Sequence, residues 1–272
     1  MPDLDSLNAY TPAEIARRVE AAGESKARMA LLPLTMLSVL AGAFIGLGAM
    51  LSVMVRADAS LGFAASTLLS GLVFSLGLLM VVVAGAELFT GNNLLVMAWA
   101  DGHISTGQVL RNWAVVGLGN ALGAAGLAWL VLASGHLALN SGAVGQKVVQ
   151  IALAKQALPF WTAFLRGVLC NILVCMAVWM AMGGRSVVDK AIAVVFPVMA
   201  FVAAGFEHSI ANLYLLPQAM LLQASGVLAE GPAVTLAGLL GNLLPVVAGN
   251  LVGGALLVGG VYWAIYLRQP RP

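Results

Sequence analysis

The stretch "FVAAGFEHSIANLY", residues 201–214, sets an acid, an imidazole, a serine and an asparagine inside one of the most apolar parts of the chain. "KAIAVVFPVMA" runs up to it and "LLPQAMLL" follows, so Glu207 and His208 lie far from any polar flank. At the middle of a bilayer an isolated charge costs roughly 2.5–3.5 kcal/mol even on a lenient insertion scale. Such residues need a structural partner or a task.

The composition supplies the bilayer. Of 272 residues, 61% are hydrophobic and 9% charged, with a mean hydropathy of +0.98, whereas a soluble domain carries roughly 25% charged residues. About 20 apolar residues make one crossing. Six candidate spans emerge, at roughly 30–55, 61–86, 108–134, 159–182, 190–222 and 233–267. Short alternating strand segments, the mark of a membrane β-barrel, do not describe them, so the expected class is an all-α integral membrane protein. The second and fifth segments are too long for a plain span once their flanks are included.

Lys and Arg set the orientation. With the N-terminus inside, the inner segments hold nine basic residues: Arg17, Arg18, Lys26, Arg28, Arg111, Arg185, Lys190, Arg268 and Arg271. The outer ones hold three, Arg56, Lys147 and Lys155, and Arg166 falls within the fourth span. Both termini are therefore expected in the cytoplasm, at the inner (plasma) membrane. The net charge of +2 is a topology signal, and no nucleic-acid partner is expected. The expected organisation is a cytoplasmic segment over 1–29, a pore domain over 30–267 and a short tail over 268–272. Within the first, "TPAEIARRVEAAGESKARM" reads as a short amphipathic helix: Thr11 caps, Pro12 opens it, and Glu14 completes a capping box. It is assigned no chemistry.

The chain repeats itself. "AGAELFTGNNL" (84–94) and "AAGFEHSIANL" (203–213) share G-x-E-x-x-x-x-N, and "GNALG" (119–123) and "GNLVG" (249–253) share G-N-x-x-G. The matches come in the same order in each half. Three spans per half make the repeat inverted, and polar motifs in mid-segment read as helix breaks, tolerated where they line protein or a cavity. "GAFIG" (42–46) joins the G-N-x-x-G motifs as a small-residue packing pattern.

Each candidate residue has a plain reading beside the functional one. Glu207 and Glu87 could cap a restarting helix through backbone N–H groups or serve transport. His208 is read as functional, since imidazole is the side chain that changes charge near neutrality. Asn171, Asn120 and Asn250 are single amides whose default task is to bond backbone freed by the breaks. Thr90 could offer a hydroxyl to a solute, and Lys155 could draw anions into a vestibule or merely snorkel. Phe74, Phe89 and Phe201 are core residues or constrictions. Cys170 and Cys175, five apart within one span, read as small core residues rather than a disulfide. No metal or cofactor motif, nucleophile elbow or P-loop is present, so neither cofactor nor catalysis is expected.

"GAELFTGN" and "GFEHSIAN", with "RNW", "LCNILVC", "GRSVVDK" and "GNLVGGALLVGGVYWAIYLR", resemble the formate/nitrite transporter family over about residues 12–268, the tail of the last span looking most like the formate channels. The resemblance implies an aquaporin-like fold of six helices, a homopentamer with a pore through each protomer, and passage of formate, nitrite or hydrosulfide. It implies that His208 is the central pore histidine, Thr90 the hydroxyl facing it, Asn171 an aid at the pore and Lys155 the vestibule lysine. Phe74 and Phe201 match an outer constriction, and Leu78, Phe89 and Val174 an inner one. Glu207 would orient the broken fifth helix, supported by Asn250. "TGNN" after Thr90 departs from the formate channels, so nothing about loop mobility is carried over. Two mechanisms stand open: a channel with a cationic His208, or symport in which the anion takes a proton. A pore for a neutral solute is the alternative outside the family, and a membrane enzyme is the remaining class.

Overall fold

The computed structural model describes residues 8–226 and 231–268; the first seven residues of the expected N-terminal segment, and the expected tail beyond Arg268, lie outside them. Among the described residues the fold is all helical. Helix α1 (Pro12–Ala27) begins as its sequence prescribes. Thr11 accepts the amide of Glu14, the Glu14 carboxylate returns to the Thr11 amide, and Pro12 stands at the first turn. Its apolar side, Ile15 and Val19, is buried with Leu94, Met97 and Trp179.

Then follow α2 (Leu31–Arg56), α3 (Phe63–Met80), α4 (Val96–Ala100), α5 (Thr106–Ala133), α6 (Ala143–Gln156), α7 (Phe160–Gly183), α8 (Val187–Ala203), α9 (Ser209–Ala224), α10 (Leu236–Leu251) and α11 (Val261–Tyr266). A π turn over Val81–Gly85 extends α3, and a π stretch over Val252–Gly260 joins α10 to α11. Among the described residues, five helical stretches are long and apolar enough to cross a membrane: Leu31–Arg56, Phe63–Gly85, Thr106–Ala133, Phe160–Gly183 and Leu236–Tyr266. The expected fifth span is different. It is two helices, α8 and α9, separated by residues 204–208.

The breaks have a local cause. Gly85 and Gly205, the first residues of the repeated G-x-E motif, adopt φ of +81° and +69°. This left-handed conformation is cheap only without a Cβ, and it turns the chain out of α3 and α8. Beyond Gly85 the chain runs without helix to a 3₁₀ turn over Gly91–Leu95; beyond Gly205 it restarts as α9 at Ser209.

The small-residue motifs bring helices together. A Cβ on Gly123 would fall on the Val39 carbonyl of α2, and one on Gly253 would fall on the Val168 carbonyl of α7. So α5 lies backbone-to-backbone on α2, and the α10–α11 stretch does so on α7. Outward faces carry exposed Phe63, Leu118, Leu122, Phe160, Trp161 and Phe196, a surface at home in lipid or against further copies of the chain.

Candidate functional site

Two cavities enter the bundle from opposite ends. One, about 310 Å³, lies under α1 and is bordered by Gly23, Lys26, Leu37, Leu78, Glu87 and Asn92. The other, about 260 Å³, lies at the far end of α2 and is bordered by Arg56, Phe74, Lys155, Phe201, Glu207 and His208. Phe74 and Phe201 meet edge to face with ring centroids 5.7 Å apart, and the Phe201 ring stacks on His208 at 5.8 Å. On the α1 side Leu78 borders its cavity, while Phe89 and Val174 are buried in the same apolar core.

Between the cavities the two broken segments touch. Thr90 Oγ1 and His208 Nε2 lie 3.0 Å apart, both residues buried. His208 is the N-cap of α9: its Nδ1 accepts the Ala211 amide at 3.1 Å. An Nδ1 that accepts cannot carry hydrogen, so the hydrogen sits on Nε2 and is donated to Thr90 Oγ1. The ring in this arrangement is neutral.

This corrects one reading of the sequence. Glu207 does not cap α9; His208 does. Glu207 instead accepts Lys155 Nζ at 2.8 Å and Asn212 Nδ2 at 2.7 Å, with Asn242 Nδ2 at 3.4 Å. A buried carboxylate is better satisfied by a cation and two amides than by a single backbone amide.

The same network occurs at the other break. Glu87 meets Lys26 Nζ at 2.9 Å and Asn92 Nδ2 at 2.7 Å, and Asn92 Nδ2 also reaches Asn112 Oδ1 at 3.0 Å. Asn212 reaches Asn242 Oδ1 at 2.7 Å in turn. Asn112 donates to the Lys26 carbonyl as Asn242 does to that of Lys155. Helix α1, assigned no chemistry above, therefore supplies the half-buried lysine of an ion pair with the buried Glu87.

The remaining asparagines hold the freed backbone, their default task. Asn120 Oδ1 accepts the Phe89 amide, and its Nδ2 donates to the Ser38 and Glu87 carbonyls. Asn250 Oδ1 accepts the Ser209 amide, and its Nδ2 donates to the Gly167 and Glu207 carbonyls. Asn171 Nδ2 bridges the carbonyls of Thr90 and Asn250 at 3.2 and 2.7 Å. Its Oδ1, and the Oγ of Ser209, are buried with no hydrogen-bond partner among the described residues. Buried polar atoms are nearly always bonded, so these two are exceptions beside the Thr90–His208 contact. Cys170 and Cys175 are buried free thiols.

Sequence reasoning missed Lys26, Asn112 and Asn242 as members of this assembly, and it quoted Asn92 and Ser209 within their motifs without giving either a role there. A signal existed for two of them: Asn112 precedes Asn120 by eight residues, as Asn242 precedes Asn250.

Residues 13–264 match the family model "Formate/nitrite transporter". The chain is 39% identical over 270 residues to the "Formate channel FocA" of Escherichia coli (strain K12), with 95% of each covered. Among solved structures, it resembles a "Pentameric formate channel with formate bound" at a TM-score of 0.80 and 36% identity, covering 88% of this chain and 98% of that one. An "FNT family ion channel" is similar at 0.83 and 32%, covering 93% and 98%. These relatives are transporters and channels rather than enzymes, and this chain, a multi-pass membrane protein, belongs to the formate/nitrite transporter family.

Proposed function

We propose that the chain carries small monovalent anions, formate first, with nitrite as the alternative, through a pore in each protomer that joins the two cavities at Thr90 and His208. The observation that carries this reading is the buried Thr90–His208 contact between two cavities, each mouthed by a lysine and bordered inward by apolar side chains. The identity to formate channels supports the substrate class.

A bare anion is costly in such a passage, because a charge leaving water loses far more than one hydrogen bond restores. The neutral tautomer of His208 favours the symport option. The anion gathers at a cationic mouth, takes a proton from the solution on that side, and crosses as the acid. At the centre, His208 Nε2–H, the Thr90 hydroxyl, Asn171 Oδ1 and Ser209 Oγ exchange hydrogen bonds with it. In a channel, by contrast, a cationic His208 would have to give up its Nδ1 contact with the Ala211 amide.

The same reading covers the architecture. The duplicated Lys–Glu–Asn–Asn networks, inverted between the two ends of the bundle, support two inverted repeats of three spans, with α8 and α9 together forming one pass. Six passes put both termini on one side, and the basic residues argue for the cytoplasm. The segments 1–29, 30–267 and 268–272 then serve as cytoplasmic helix, pore and tail. The exposed apolar faces fit a homopentamer in lipid.

The test uses liposomes with an internal pH dye, given inward gradients of formate, nitrite and chloride in turn, with protein-free vesicles as control. Internal alkalinisation above leak with formate supports symport. Voltage-following flux without protons selects the channel, and no response to any anion refutes anion transport. His208→Phe must abolish or reshape the response; an unchanged pH dependence would remove His208 from the mechanism.

A further inference from the structure

The lysines at the two mouths neutralise themselves against Glu87 and Glu207. What sets the far cavity apart is the pair of arginines among the residues that border it, Arg56 and Arg166. Among the described residues neither forms an ion pair with a carboxylate. The cavity under α1 has only Lys190 as a corresponding extra cation. The uncompensated charge is therefore concentrated at the far mouth, and it belongs to arginine.

Arg56 is also held in place. Its Nε donates to Ser70 Oγ at 3.1 Å and its Nη2 to the Val202 carbonyl at 3.0 Å. Ser70 lies one turn before Phe74 on α3, and Val202 follows Phe201 on α8, so the guanidinium is fixed beside the aromatic pair. Both acceptors are neutral. Of the five N–H donors of a guanidinium, Nη1 has no bonded partner among the described residues, and Arg56 borders the cavity. A planar fork of this kind matches a carboxylate or another small oxyanion.

We propose that Arg56, assisted by Arg166, is a docking site for a small monovalent oxyanion in the far cavity, and that it sets the concentration at which transport saturates. This rests on the transport reading above. Docking that raises local anion concentration changes half-saturation and leaves the maximal rate nearly untouched. A purely bracing Arg56 would do the reverse, because losing its links to α3 and α8 would disturb the Phe74–Phe201 pair.

Radiolabelled formate uptake is measured in proteoliposomes at low and high salt for the wild type, Arg56→Gln, Arg56→Lys and Arg166→Gln. At low salt Arg56→Gln should raise the half-saturating formate concentration at least about tenfold, the loss of a hydrogen bond to a charged group, with a maximal rate within about twofold of wild type. Arg56→Lys and Arg166→Gln should shift half-saturation less, and high salt should shrink every difference. Unchanged half-saturation in Arg56→Gln overturns the proposal, with or without a fall in maximal rate. A second readout separates docking from transport: line broadening of ¹³C-formate by detergent-solubilised protein. Broadening lost in Arg56→Gln but kept in His208→Phe supports docking even if vesicles carry no formate, which would sink the transport reading alone. Equal broadening in the wild type and Arg56→Gln overturns docking even if transport is intact.

Discussion

Replacing Lys155 by Met leaves the Glu207 carboxylate, with 5% of its side chain exposed, facing two asparagine amides and no cation. At the 2.8 Å separation of Lys155 Nζ and Glu207 Oε1, the Coulomb attraction is about 6 kcal/mol at an effective dielectric of 20. Much of that is offset by the desolvation of both groups, so the net worth of the pair is far smaller. Breaking it from one side is another matter, since the carboxylate stays buried; the expected loss is about 3–5 kcal/mol. Removing both charges, with Glu207→Gln added to Lys155→Met, should recover at least half of it. The assay is unfolding of detergent-solubilised protein followed by tryptophan emission, with both single variants and the double. Lys26→Met provides an internal comparison. Its lysine is 28% exposed against 15% for Lys155, so water screens the Glu87 left behind and the loss should be smaller. Two results would refute the reasoning: a Lys155→Met loss below about 1 kcal/mol, the scale of an exposed pair, or a double variant no more stable than that single one.

Other predictions are briefer. Gly123→Ala should destabilise by about 3 kcal/mol or more, because its Cβ meets the Val39 backbone, which cannot step aside as a side chain would. Gly126→Ala, on the same helix with open space around it, should be neutral or stabilising by up to about 1 kcal/mol; thermal midpoints of the two test the contrast. Thr90→Val removes the acceptor of His208 Nε2–H and should cut formate flux about tenfold or more, as expected for one lost buried hydrogen bond at the crossing point; rescue by Thr90→Ser would tie the loss to the hydroxyl. Burial, and then the Asp101 carboxylate beside it, raises the Glu20 carboxyl above its usual range, with His103 opposing and Glu24 adding to the rise. An acid raised in the docked state holds its proton harder there. Its contribution to docking of α1 is therefore complete at acid pH and fades as pH rises from the ordinary glutamate value of about 4.5 through the raised value. Amide exchange in α1, corrected for intrinsic rates, should show this trend, and Glu20→Gln should flatten it. Glu14, lowered by its bonds to Thr11, acts with the opposite sign, so the difference between wild type and Glu20→Gln is the quantity to read.

What could be read from the sequence was whatever is local or repeated. The capping box of α1 needs four consecutive residues, and the structure forms it as written. The breaks were legible because a glycine and an acid recur together in apolar runs, and the glycines are left-handed. The close helix contacts followed from small residues four apart. The role of Glu207 was not legible. Its partner Lys155 is 52 residues away and its second amide, Asn242, 35 away, so a backbone cap and a transport role stood side by side. Lys26 was hidden for the same reason: a lysine near the end of an amphipathic helix looks solvated until the fold carries Glu87 to it. Tyr10 is a third case. It lies 4.0 Å from the guanidinium carbons of both Arg18 and Arg185, and the second arginine comes from the turn between α7 and α8.

The asparagine clasps at the two breaks bear on how fast material can move. Asn120 and Asn250 each make three buried bonds to backbone, and Asn171 adds two, to the carbonyls of Thr90 in the first break and of Asn250 on α10. Swinging either break aside to alternate access would leave several of these groups unpaired at once, each costing roughly 1–3 kcal/mol. Such a frame holds still while its cargo passes. Flux through it should therefore rise only gently with temperature, like diffusion through a fixed opening, without the steep thermal dependence of a carrier that must rearrange on every cycle.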